Sequence, residues 1–244
     1  MASIEAKLQQ VKQRIAAACA AAQRPVQSVT LLAVGKTFGA DAVREAAAAG
    51  QRAFGENYVQ EALGKIEALR GLRPAIEWHL IGPLQSNKTR EVAAAFDWVH
   101  SIDRLKTAER LSAQRPAGLP PLQVCLQVNL DGEASKSGVA PAELPALGRA
   151  VAALPGLRLR GLMSIPAPRL GTAAQREPHR RLREWLEALN VDGLALDTLS
   201  MGMSDDLEAA VFEGATIVRI GSAIFGARAS ARTANREPRA GRAA

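Results

Sequence analysis

Eight times along this chain a short apolar run gives way to a stretch of helical periodicity, and that alternation limits the fold more than any other feature. The apolar runs lie at 31–34, 52–57, 77–82, 98–103, 122–130, 157–165, 198–202 and 217–225. Between them the apolar spacing is helical, as in Val59, Leu63, Ile66 and Leu69, or Leu144, Leu147, Val151 and Leu154. One further helix, marked by Ile4, Leu8, Val11 and Ile15, precedes the first strand. Alternating strands and helices predict a parallel sheet covered by helices. Eight such units within about 225 residues match a single (β/α)8 TIM-type barrel of the usual ~250-residue size. The rival, an open doubly wound sheet, ordinarily needs a glycine-rich loop after its first strand, and Gly35-Lys36-Thr37 lacks that spacing.

A barrel directs attention to the carboxyl ends of its strands. There the run Leu31-Leu32-Ala33-Val34 passes through Gly35 into Lys36. A lysine in such surroundings is expected to lose hydration, which disfavours its charged form and frees the amine as a nucleophile toward an aldehyde. The alternative is a lysine that merely snorkels from a strand end. Near the seventh and eighth strands, Ser200 to Ser204 and Arg219-Ile220-Gly221-Ser222 combine hydroxyls with glycines, the composition of a barrel phosphate site. Ordinary turn chemistry, with Ser204 as a helix N-cap, accounts for the same residues. Arg219 interrupts an apolar strand, so it either meets a buried carboxylate or faces a ligand. Strand alternation puts Ile217, Arg219 and Gly221 on one face of the eighth strand, and Leu32, Val34 and Lys36 on one face of the first. Since the first and eighth strands adjoin in a closed barrel, these groups are expected to share one mouth. The set suits pyridoxal phosphate: lysine for the aldehyde, amides and hydroxyls for the phosphate, and a partner for the ring nitrogen. An arginine partner only donates, favouring an unprotonated ring nitrogen and a weaker electron sink.

With those residues in view, the chain resembles the pyridoxal phosphate homeostasis protein family. The stretches that carry the resemblance are AVGKT at Ala33, FGENYVQE at Phe54, WHLIGPLQSNK at Trp78 and QVNLDGEASKSG at Gln127. GLMSIP at Gly161, LSMGMSDDLEAA at Leu199 and VRIGSAIFG at Val218 complete the series. The resemblance implies an alanine-racemase-like barrel (pyridoxal phosphate fold type III) in which Lys36 holds the cofactor as a Schiff base. It further implies phosphate contacts from Ser200, Gly221 and Ser222, with Arg219 at the pyridine nitrogen and Asn57, His79 and Met163 lining the pocket. Family members often carry serine where this chain has Gly35, proline near Gly39, and threonine at the Ser222 position.

The resemblance implies a protein of intracellular cofactor homeostasis with no assigned turnover. Racemisation needs a second base opposite the lysine, and Tyr58, the one tyrosine, is expected to pack half-buried at a helix start. The alternatives are an amino-acid racemase or decarboxylase on the same barrel, and a sugar-phosphate-binding barrel in which Lys36 only neutralises charge. The expected domains are a barrel over 1–227 and a basic, disordered tail over 228–244. That tail carries four of the seven excess positive charges, so the net charge is no sign of a specific nucleic-acid partner. Cys19 and Cys125 lack metal-ligand spacing, and His79, His100 and His179 are too scattered for a metal site, with His179 read as a helix-surface residue. Without a long apolar run or a basic leader, the expectation is a cytoplasmic protein free of membrane. The resemblance implies a monomer, with apo pyridoxal phosphate enzymes as further partners.

Overall fold

The computed structural model describes residues 2–73, 75–132 and 137–226. Helix α1 (Ile4–Ala21) comes first, capped by the Ser3 hydroxyl on the Ala6 amide. The strands are β1 (Thr30–Val34), β2 (Ala53–Glu56), β3 (Glu77–Leu80), β4 (Trp98–Ile102), β5 (Leu122–Gln127), β6 (Leu157–Met163), β7 (Thr198–Ser200) and β8 (Ile217–Ile220). Helices follow in turn: α2 (Ala40–Ala48), α3 (Val59–Ala68), α4 (Thr89–Ala95), α5 (Leu105–Gln114), α6 (Leu144–Ala152), α7 (Thr172–Val191), α8 (Leu207–Phe212) and α9 (Ser222–Phe225). All eight strands run parallel and pair in sequence order, and β1 closes on β8 with Leu32 opposite Arg219. The expected (β/α)8 barrel is the observed architecture.

Strand alternation sorts the apolar residues into two clusters. Leu31, Ala33, Val218 and Ile220 pack outward against the helices, with Leu8, Val11 and Ile15 of α1 in the same cluster. Leu32, Val34, Ala53, Ile81, Trp98, Cys125, Met163 and Ile217 form a second, inner cluster. Parallel strands covered on both faces bury nearly every side chain, which is why their sequences read as continuous apolar runs.

Beyond strands that end a few residues earlier than their apolar runs, as β5 does at Gln127 and β6 at Met163, two boundary differences bear on the site. The eighth apolar run is not strand to residue 225: β8 stops at Ile220, and Ser222–Phe225 turn into α9, because a short apolar run carries no periodicity to separate strand from helix. Helix α8 begins at Leu207 with Asp206 at its N-cap, so Ser204 is not the cap and is left in the loop before it. The expected tail, 228–244, lies outside the described residues, as does Lys136 of the QVNLDGEASKSG stretch.

Candidate functional site

At the carboxyl ends of β1, β7 and β8 a cavity of about 320 Å³ opens. Lys36, Asn57, Arg219, Gly221 and Ser222 line it, with Ser204 and Asp205 from the β7–α8 loop and Phe38, Ile81 and Ile165 as apolar wall. Five of the eight residues expected at the site therefore meet. His79, Met163 and Ser200 are buried beneath the cavity and do not line it. Alternation places all three inside the barrel, but depth along the axis decides whether an inward residue reaches the mouth or fills the floor.

Lys36 is half-buried, and the backbone around it is tightly constrained. Thr37 adopts φ +69°, a left-handed conformation rare outside glycine, and its amide donates to Glu61 Oε1 at 2.7 Å. Beneath this turn lies an ion cluster that sequence reasoning missed. The buried Lys65 ammonium donates to the Gly35 carbonyl (2.7 Å), Glu56 Oε1 (2.8 Å) and Glu61 Oε1 (2.6 Å). Glu56 is wholly buried, and desolvation lifts its carboxyl to about 7 against the opposing pull of Lys65. A Cβ on Gly35 would come within 2.9 Å of Glu56 Oε1, so the glycine fits this carboxylate closely. A signal was present: Val59, Ala62 and Lys65 fall on the buried face of α3, and Glu56 stands in an otherwise apolar strand.

Arg219 is also buried, and every side-chain partner seen for it is an acceptor. It donates to the Ser200 carbonyl (2.5 Å), the Ser200 hydroxyl (2.9 Å) and the Ser164 carbonyl (2.7 Å). Burial brings its pKa down to about 10, with Asp206 opposing, so it remains a cation at neutral pH. Gly221 sits so close to β1 that a Cβ would approach the Val34 carbonyl oxygen at 3.1 Å, and from there the chain enters α9. The first amides of a helix lack intrahelical acceptors and suit an anion, as does the Ser222 hydroxyl. The Phe38 and Phe225 rings pack at a tilt with centroids 5.3 Å apart, which ties the Lys36 loop to α9.

The β7–α8 loop is held by Asp206, which accepts the Met203 amide on Oδ1 (2.6 Å) and pairs with His179 Nε2 on Oδ2 (2.9 Å). His179 is buried rather than on the helix surface, since it shares a face with Leu182, Leu186 and Leu189 at spacings of three and four. Gly202 lies within this loop at φ +91°, where a Cβ would lie 2.5 Å from Ala210 Cβ. Tyr58 is exposed rather than half-buried and does not line the cavity. Lys88 pairs with Glu91 at 3.1 Å. The Asn57 Oδ1 atom is buried without a hydrogen-bond partner among the described residues.

The family model of the alanine racemase N-terminal domain matches residues 6–229 of this chain, the span of the closed parallel barrel. The chain is 64% identical over 228 residues to the pyridoxal phosphate homeostasis protein of Pseudomonas aeruginosa, covering 93% of this chain and 97% of that relative. It belongs to the pyridoxal phosphate homeostasis protein family. Among solved structures, that of PipY from Synechococcus elongatus with PLP bound matches with a TM-score of 0.81 at 40% identity, covering 92% of this chain and all of that one. Alanine racemase from Corynebacterium glutamicum matches with a TM-score of 0.66 at 19% identity, over 91% of this chain and 59% of the racemase, a likeness of fold alone.

Proposed function

We propose that this chain binds pyridoxal 5′-phosphate in the mouth cavity and serves the homeostasis of that cofactor as a holder rather than a catalyst. The observation that carries the reading is the convergence of Lys36, Arg219, Gly221 and Ser222 on one cavity, in a chain whose relative PipY has been solved with PLP bound. When bound, the cofactor supplies an aldehyde that captures an amine, and Lys36 is the amine at the cavity wall. Ser204, Ser222 and the close-packed Gly221 provide the phosphate end. Arg219 donates toward the ring nitrogen and, being unable to accept, leaves that nitrogen without a proton. The unsatisfied Asn57 oxygen is consistent with a polar ligand group, and rotation of the amide would offer its donors instead.

What surrounds the lysine supports holding rather than turnover. Among the described residues lining the cavity, Asp205 is the one carboxylate, and there is no tyrosine, histidine or cysteine to serve as an opposing base. No helix among the described residues is long and apolar enough to cross a membrane. The reading places the protein in the cytoplasm as a monomer, with the barrel domain at 1–227, a basic tail at 228–244, and apo pyridoxal phosphate enzymes as receivers of the cofactor.

The test is direct. Purified protein given pyridoxal phosphate should turn yellow, and borohydride should fix the label on Lys36, with Lys36→Ala abolishing the fixation. A colourless protein indifferent to the cofactor favours a sugar-phosphate-binding barrel. Amino-acid turnover at ordinary enzyme rates, lost in Lys36→Ala, favours a racemase or decarboxylase.

A further inference from the structure

We propose that Ser200, His100 and His79 form a one-way hydrogen-bonded chain through the barrel interior that positions Arg219 at the cavity, with both histidines held as Nε2–H tautomers. The chain lies beneath the proposed site and has no part in capturing the cofactor. Its links are the Arg219 guanidinium to Ser200 Oγ (2.9 Å), Ser200 Oγ to His100 Nδ1 (2.8 Å), and His100 Nε2 to His79 Nδ1 (3.0 Å). At the far end, His79 Nε2 lies 3.6 Å from Glu77 Oε2, at the amino-terminal start of β3. The hydrogen-bonded series thus runs from Arg219 at the mouth to His79 within β3, and the Glu77 carboxylate lies beyond hydrogen-bond length.

Its direction is set at Arg219. A guanidinium has only donors, so Ser200 Oγ must accept from it. Ser200 is completely buried, and its hydroxyl proton is satisfied by His100 Nδ1, the other hydrogen-bond partner seen for Oγ among the described residues. His100 must then present a bare Nδ1 and carry its proton on Nε2, where it donates to His79 Nδ1. His79 in turn carries its proton on Nε2, facing the Glu77 carboxylate.

The reverse polarity fails at the Ser200 end, where it would strand a buried hydroxyl proton, and burial makes unpaired polar groups costly. At the other end His79 Nε2 has no hydrogen-bond partner among the described residues in either polarity, and the carboxylate 3.6 Å away favours a proton there. Both rings are neutral: burial pushes His100 well below its ordinary value, with His79 and Arg219 adding to the effect, and burial lowers His79 against the pull of Glu77. Trp98 stacks on His79 with ring planes 7° apart and fixes the lower ring in orientation. The role assigned is positioning. The chain holds the Ser200 hydroxyl as an acceptor under Arg219, and so fixes the direction in which the cation meets the ring nitrogen.

The test begins with the full-length protein free of cofactor. Long-range ¹H–¹⁵N correlation of the imidazoles should show both His79 and His100 as Nε2–H tautomers at neutral pH. In Ser200→Ala the His79 signals should change although that ring does not touch residue 200, a relayed effect that local packing would not produce. The same variant, with its fold checked by thermal melting, should bind pyridoxal phosphate about fivefold more weakly, the loss of one hydrogen bond, and should shift the absorption band of the bound cofactor. An Nδ1–H tautomer at either histidine in the wild type overturns the chain, and so do unchanged His79 signals in Ser200→Ala. If the tautomers are as described but affinity and band are unchanged in the variant, the positioning role is overturned. A wild-type protein that takes up no cofactor refutes the proposed function, a result distinct from any of these.

Discussion

The Lys65 ammonium donates to the Gly35 carbonyl oxygen at 2.7 Å, so a side chain of α3 grips the backbone one residue before Lys36. The same nitrogen neutralises Glu56 and Glu61, and Glu61 also receives the amide of Thr37. The turn that presents Lys36 is therefore fastened from below on both sides of the lysine.

Replacing Lys65 with methionine should be costly. It leaves the Glu56 carboxylate buried without its cation, and removing one partner of a buried pair costs roughly 3–5 kcal/mol. Urea unfolding at pH 8 measures the loss, which should shrink at pH 5.5, where Glu56 escapes the penalty by taking up a proton. A loss below about 1 kcal/mol, the range of an exposed ion pair, would show that the cluster adds little to the fold.

Glu56 also gives a pH signature of definite sign. Burial raises its carboxyl from 4.5 to about 7, so the native protein binds this proton more tightly than the unfolded chain. Its contribution to stability is fully present below about pH 4.5 and is lost as pH rises to about 7. The buried neutral histidines work in the opposite sense: their lowered values add stability above the unfolded histidine range, and that part is lost as pH falls. Subtracting the stability curve of Glu56→Gln from that of the wild type isolates the carboxyl. The difference should fall between those two pH values, and a difference that rises across the window would contradict the assignment.

Asp206 offers a test of the loop that carries Ser204 and Asp205. Asp206→Ala removes the acceptor of the Met203 amide and leaves His179 buried without its partner. Cofactor affinity, followed by fluorescence titration, should weaken about tenfold, as expected for losing a charge-assisted hydrogen bond. A variant with wild-type affinity would show that the loop keeps its shape without this brace.

Gly202→Ala should disrupt the fold itself. The new Cβ would meet Ala210 Cβ at 2.5 Å, and the backbone there has φ +91°. Left-handed strain and overpacking each cost about 1–3 kcal/mol. Thermal unfolding should show a large drop in midpoint, while Gly39→Ala, where a Cβ meets nothing within 4 Å, serves as a mild control.

Most of this architecture is legible in the residues. The alternation of apolar runs gives the closed barrel, and the strand parity of Lys36, Arg219 and Gly221 brings them to one mouth because β1 adjoins β8. Parity has no third dimension, however. It identifies Ser200, His79 and Met163 as inward without showing that they lie below the cavity floor. The Glu56–Lys65 pair joins a strand to the following helix, and charged residues in a helical stretch read as solvated until their shared face with Val59 and Ala62 is counted. His179 was obscured in the same way by its charged neighbours.

Helix α1 packs against α8 and α9, and its Leu8, Val11 and Ile15 belong to the same outer core as Ile220, Ile224 and Phe225. The earliest helix is thus the backing wall for the last turn of the barrel, where Gly221 and Ser222 stand. Trimming those opening residues would loosen the anion end of the pocket from behind, more than two hundred positions away along the chain.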